Sequence, residues 1–174
     1  MTEDRPAPVL IALGSNIEPV VNLPRAISLL NRECPVEAVS PVYVAEPVGS
    51  PEAPMFLNAA ARIRTTLSPQ DLKFGVLRPL EGELGRRRSD NRYAPRTIDL
   101  DIAFFGSLVI DDPALGLVIP DPEIGTCAHL ALPLADLEPL FRHPVSGETL
   151  SQLAAGFADS DSIRLFDGLR LQPG

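Results

Sequence analysis

Phe56-Leu57-Asn58-Ala59-Ala60-Ala61-Arg62-Ile63-Arg64-Thr65 is the stretch whose alternation decides the fold. Leu57, Ala59, Ala61 and Ile63 fall on one side of an extended chain; Asn58, Arg62 and Arg64 fall on the other. A period of two belongs to a strand with one face on a core. Upstream, Val9-Leu10-Ile11-Ala12-Leu13 stops at Gly14-Ser15-Asn16, which reads as a buried strand and its turn. Asn22 is expected to cap a helix with Pro24 in its first turn and Ala26, Ile27, Leu29 and Leu30 on its apolar face. Val36 to Ala45 reads as a second strand, with Pro41 marking an edge or bulge, and the proline-rich stretch 47–54 as a loop.

Downstream, Ser68-Pro69-Gln70-Asp71 has the cap, proline and acid of a helix start. That helix should carry Leu72, Val76 and Leu80, with a break or kink at Pro79. Residues 85–95 are polar and unperiodic, hence an exposed loop. In the strand Ile98 to Phe105, Ile98, Leu100, Ile102 and Phe104 should share one side and Asp99, Asp101, Ala103 and Phe105 the other. Leu108 to Ile110 and Leu117 to Ile119 suggest a small extra pair around Asp111-Asp112-Pro113. A helix over 129–138, interrupted by Pro133, and a hairpin about Asp167-Gly168 complete the chain. The order strand, helix, strand, strand, helix, strand predicts an α+β fold of the split βαβ, ferredoxin-like kind. Its sheet should be antiparallel-rich, with helices packed on one face. One domain over 1–174 is expected, with 1–8 a loose tail.

The chain has 174 residues, 45% of them hydrophobic and 22% charged, the profile of a globular protein with a real core. Its net charge is −8, which argues against a nucleic-acid binder. No charged-then-apolar leader is visible and no apolar run reaches a membrane span, so a cytoplasmic protein without a membrane partner is expected. Cys34 and Cys127 are too few for a disulfide framework. Arginine dominates the cations, and Lys73 is the only lysine. Five arginines and Asp90 fall between Arg86 and Arg96, a local excess of +4 that suggests a small anionic ligand.

The sharpest chemical feature is Arg96-Thr97-Ile98-Asp99-Leu100-Asp101. Strand residues two apart share a face about 6–7 Å apart, so Asp99 and Asp101 project together. Two hard oxygen ligands at that separation suit Mg²⁺, with phosphates and water completing its shell. Carboxylates for metal and guanidinium forks for phosphate are the parts phosphoryl transfer needs. No Walker-type or kinase glycine loop, zinc spacing or serine triad is present. Arg62 and Arg64 read as solvated, Tyr43 as packing and His143 as chemically idle.

The residues also resemble a known family, the 6-hydroxymethyl-7,8-dihydropterin pyrophosphokinases of folate biosynthesis. The likeness runs from about Val9 to about Pro139. It is carried by Ile11-Ala12-Leu13-Gly14-Ser15-Asn16, Glu46-Pro47-Val48-Gly49, Phe56-Leu57-Asn58-Ala59, Leu84-Gly85-Arg86, Ile119-Pro120 and, most specifically, Arg92 through Ile102. The resemblance implies transfer of pyrophosphate from ATP to the pterin hydroxymethyl, with release of AMP. It implies two Mg²⁺ on Asp99 and Asp101, and Arg86 and Arg96 on the phosphates as catalytic groups. It places Arg88, Arg92 and Tyr93 in a loop closing over the substrates, with Glu81 and Ile102 by the nucleotide. The pterin would meet Asn58 at its edge, Phe56 on its ring, and backbone near Ala45 and Val48. The partners would be small molecules only, and the assembly a monomer or homodimer. Residues 160–174 lie beyond the resemblance.

Three positions depart from the pattern. Asp121 stands where the family usually has His, Cys127 where it has Arg, and His129 where it has the aromatic ring that sandwiches the pterin. The alternatives are a catalytically weakened pterin- or nucleotide-binding relative serving as a binding or partner protein, and an enzyme for a modified pterin. Arg87 and Arg142 are the candidate replacements for the missing positive charge.

Overall fold

The computed structural model describes residues 7–46, 52, 54–91 and 94–174. Its main sheet is built from β1 (Ala7–Ser15), β2 (Val36–Val39), β3 (Tyr43–Ala45), β4 (Phe56–Thr65), β5 (Asp99–Phe105) and β8 (Ile163–Leu165). The path is β5-β1-β4-β3-β8, with β2 also on β4, and every pairing is antiparallel. The valine-rich strand is thus divided at Ser40-Pro41, where proline cannot donate to the ladder. β6 (Ile110–Asp112) and β7 (Leu117–Ile119) form a separate pair. No described helix is long and apolar enough to cross a membrane.

Helices cover both faces of the sheet, not one. On the first face α1 (Pro19–Glu33), α2 (Pro69–Asp71), the π-helical segment Leu72–Leu77 and α3 (Arg78–Glu83) pack on Ile11, Leu13, Ala59, Ile63, Leu100 and Ile102. On the second, α4 (Ala128–Leu137) and α5 (Leu150–Ala155) pack on Leu10, Ala60, Ala103 and Phe104. Three alanines in β4 let helices approach closely, and Arg62 and Arg64 stay outside on glutamates. Arg62 Nε is 3.0 Å and Arg64 Nε 2.7 Å from the carboxylate of Glu37, and Arg62 also bonds Glu138.

Several local expectations are corrected. α1 starts at Pro19, so Asn22 is buried inside it, donating to the Ile17 carbonyl at 2.6 Å, and Pro24 lies beyond the first turn. Ser68 does cap its helix, accepting from the Asp71 N–H at 3.0 Å. Pro79 brings no break. The turn before it widens to π geometry, with the Arg78 N–H reaching the Lys73 carbonyl. A π turn is a common way to absorb a misfit residue in a helix. α4 runs through Pro133 without interruption. In β5 a bulge near Ala103 reverses the alternation, so Phe104 joins the aspartate side and Phe105 the other. The C-terminal hairpin does not form. β8 pairs with β3 instead, and Leu169 and Leu171 pack on the first-face core.

Candidate functional site

Strand register builds the site. Gly14 of β1 lies opposite Asp99 of β5 on one side and Asn58 of β4 on the other. Directly opposed residues share a face, so Asp99 and Asn58 flank a position with no side chain. A Cβ on Gly14 would stand 3.2 Å from Asn58 Oδ1, so glycine keeps the gap open. Asp101 follows on the same face, opposite Ala12.

The turn after β1 fixes the arginine segment to this gap. Ser15, fully buried, donates from Oγ to the Thr97 carbonyl at 2.6 Å. Asn16 Oδ1 accepts from the Arg96 N–H at 2.7 Å, and the Asn16 N–H returns a bond to the Arg96 carbonyl at 3.1 Å. Arg96 is thereby held with its guanidinium carbon 5.9 Å from the Phe56 ring centroid, a cation–π distance. The roles of Ser15 and Asn16 are not legible in the sequence, where they read only as a turn.

Asp99 is clamped by two guanidiniums, Arg86 Nη1 at 2.5 Å and Arg96 Nη1 at 2.9 Å. Burial pushes its carboxyl up, but the two arginines outweigh burial and hold it below the ordinary carboxylate range. Asp101 behaves oppositely: burial, then the Asp99 charge, push it up to about 7. Glu81 is 1% exposed. Its Oε1 takes the Leu100 N–H at 2.9 Å, an edge-strand donor that would otherwise lack a partner. Its Oε2 holds Arg78 Nη1 at 3.0 Å and Arg88 Nη2 at 2.8 Å, and Arg86 is 3.6 Å from its Oε1. Glu81 therefore anchors the arginines of the site.

Two pockets are lined by residues of this region. Arg86, Arg87, Arg96, Ser89 and Asn91 help line one of about 250 Å³. The other, of about 260 Å³, lies at the outer edge of β5, with Asp101 and Ile102 in its wall. His129, half-buried at the start of α4, is pushed down by burial, while Glu123, Asp121 and Asp99 pull it back up. Asp121 is pushed up, chiefly by burial. Cys127, which is in no disulfide, immediately precedes α4. Ala45 ends β3 opposite Phe56. Of the suggested replacements for the missing charge, Arg87 lines the arginine pocket, while Arg142 bonds the Gly147 carbonyl in a distant turn. Val48, Arg92 and Tyr93 lie outside the described residues.

Among the described residues, four buried side-chain atoms have no hydrogen-bond partner: Asn16 Nδ2, Asn58 Nδ2, Arg86 Nε and Thr97 Oγ1. Every one belongs to this constellation. Buried polar atoms in folded proteins are normally satisfied, and these four belong to residues that the contacts above join together.

Paired carboxylates beside fixed guanidiniums, over a polar gap in an antiparallel sheet, have the composition of a phosphoryl-transfer enzyme's site. Residues 10–139 match the model of the 7,8-dihydro-6-hydroxymethylpterin-pyrophosphokinase (HPPK) family, and the chain belongs to that family. A Pseudomonas aeruginosa 2-amino-4-hydroxy-6-hydroxymethyldihydropteridine pyrophosphokinase is 38% identical over 169 residues, covering 95% of this chain and 97% of that one. The Bacillus subtilis protein of the same name is 36% identical, covering 80% and 83%. A crystal structure of a Plasmodium falciparum HPPK-DHPS triple mutant superimposes with a TM-score of 0.68 at 14% identity. It covers 90% of this chain, which spans 45% of the length of that fused protein, and supports the fold alone.

Proposed function

We infer that this chain transfers the pyrophosphoryl group of ATP to the hydroxymethyl oxygen of 6-hydroxymethyl-7,8-dihydropterin and releases AMP, in folate biosynthesis. Family membership supports the reaction. The observation that carries it onto these residues is the set of orphaned donors around Gly14, beside the carboxylate pair. A planar heterocycle with amide-like edges is what unpaired Asn58 and Asn16 amides can recognise. The half-buried Phe56 and His129 rings supply flat apolar faces, and backbone at Ala45 and Val48 would complete the pocket.

Asp99 and Asp101 would hold Mg²⁺. The donor set fits: two hard carboxylates on one strand face, one with no hydrogen bond among the described residues, and no third ligating side chain gathered with them. That leaves coordination positions for phosphate oxygens and water, the usual arrangement for magnesium, and the same two carboxylates would hold a pair of ions. When bound, the metal neutralises phosphate charge. Arg86 and Arg96, released from Asp99, would grip the transferred group. Arg88, Arg92 and Tyr93 would close over it and exclude water. Glu81 and Ile102 would act from the nucleotide side, Glu81 by holding Arg78 and Arg88.

The strand order β5-β1-β4, with β2 and β3 both paired to the far side of β4, supports the split βαβ, ferredoxin-like topology. Pairing of β8 with β3 supports a single unit over 1–174. A cytoplasmic location accords with Cys34 and Cys127 lying outside any disulfide. The test is AMP release with MgATP and 6-hydroxymethyldihydropterin. Turnover is expected. No turnover with retained pterin binding would favour the weakened binding relative.

A further inference from the structure

The pocket at the outer edge of β5 shares Asp101 and Ile102 with the site above and adds Lys73, which the reaction above does not use. Ile102, Leu117 and Ile119 form its apolar side, and Asp101, Asp121 and Lys73 its charged side. Lys73 is its only cationic lining residue and the only lysine of the chain. It sits in the π-helical segment, so its ammonium reaches across to the turn between β6 and β7 and donates to the Gly116 carbonyl. That carbonyl is a neutral acceptor and occupies one of three ammonium donors. Burial, then the Arg78 charge, push Lys73 below the ordinary lysine value, as befits a cation short of a strong counter-ion. A nucleotide entering here meets Asp121 as well as Asp101, so its phosphates need a positive charge on this side. Arg86, Arg87 and Arg96 line the other pocket, beyond Asp99.

We propose that Lys73 is a nucleotide-binding residue whose ammonium leaves the Gly116 carbonyl to pair with the phosphate nearest the nucleoside. The nucleoside then rests on Ile102, Leu117 and Ile119, and the phosphates run past Asp101 and Asp99 to the arginines. This rests on the pyrophosphokinase reading. It also answers the departure at Asp121, because Lys73 supplies a cation in the pocket that Asp121 lines.

A single lysine makes the test clean. Reductive ¹³C-methylation keeps the charge and gives one side-chain resonance. It should move on titration with AMP and stay in place with adenosine. Lys73→Met should weaken AMP and a Mg²⁺-loaded α,β-methylene ATP analogue by about tenfold or more, the usual effect of losing a charge-assisted bond. Adenosine and pterin affinities should hold within about twofold, and Lys73→Arg should keep most of the AMP affinity. Unchanged AMP binding in Lys73→Met would overturn the proposal. So would equal losses for AMP and adenosine, the pattern of a residue that only straps the β6–β7 turn. A wild-type protein that binds pterin but neither AMP nor the ATP analogue would instead overturn the nucleotide reading itself.

Discussion

Asp99→Ala separates the two roles assigned to this carboxylate. In the structure Asp99 neutralises Arg86 and Arg96, at 2.5 and 2.9 Å, with side-chain exposures of 25%, 11% and 19% respectively. A phosphate entering without metal must first displace it. Each charge-assisted bond contributes about 1.5–3 kcal/mol in such settings, and a phosphate replaces much of what it breaks. Removing Asp99 should therefore tighten metal-free pyrophosphate binding by about 1.4–3 kcal/mol, roughly tenfold to a hundredfold. The same change strips a metal ligand, so Mg²⁺-dependent turnover should fall by about a hundredfold or more. It also takes the nearest carboxylate from two partly buried guanidiniums, leaving Arg86 the longer contact to Glu81 at 3.6 Å, at a cost of about 2–3 kcal/mol. For a chain of this size that lowers Tm by about 4–12 °C. Calorimetry with pyrophosphate in a chelator, thermal melting and an AMP-release assay read the three effects. Pyrophosphate affinity that is unchanged or weaker in the variant would refute the idea that Asp99 holds the arginines in reserve.

Further outcomes follow from the same geometry. Burial and the Asp99 charge push Asp101 up to about 7, so Mg²⁺ competes there with a proton, and apparent Mg²⁺ affinity with a bound ATP analogue should rise about tenfold between pH 6 and pH 8. A flat profile would remove Asp101 from the ligand set. Because its folded value lies above its ordinary 3.8, the metal-free protein should lose stability as pH climbs from about 4 through about 7, and added Mg²⁺ should oppose that loss at pH 8. Gly14→Ala puts a methyl 3.2 Å from Asn58 Oδ1, so pterin affinity should drop by about tenfold while AMP affinity and Tm hardly change. An unaltered pterin affinity would place the substrate elsewhere.

Where the local pattern carries the information, the sequence is a good guide. β4 alternates because Leu57, Ala59, Ala61 and Ile63 meet the first-face core while Asn58 and Arg62 are polar on the second, and Asp99 and Asp101 share a side because strands have a period of two. The constellation at Gly14 is harder to read, since register joins residues 14, 58 and 99 from three separate strands. The bulge near Ala103 has no marker in Ile98 to Phe105, and it sends Phe104 to the second face. There Phe104 joins Leu10, Ala60 and Ala103 under α4 and α5. α5 does have a signal in its capping box, Thr149 with Gln152, but a six-residue helix offers little periodicity to confirm it. Glu81 looks like a surface acid of a helix. Only the neighbouring edge strand, with its Leu100 N–H, gives it a buried role.

The central claim is transfer of two phosphorus atoms together, and position-labelled ATP tests it directly. With MgATP labelled at the β-phosphate in one run and at the γ-phosphate in another, both labels should appear in the pterin product, with unlabelled AMP released. Transfer of the γ label alone, with ADP as co-product, would contradict the account.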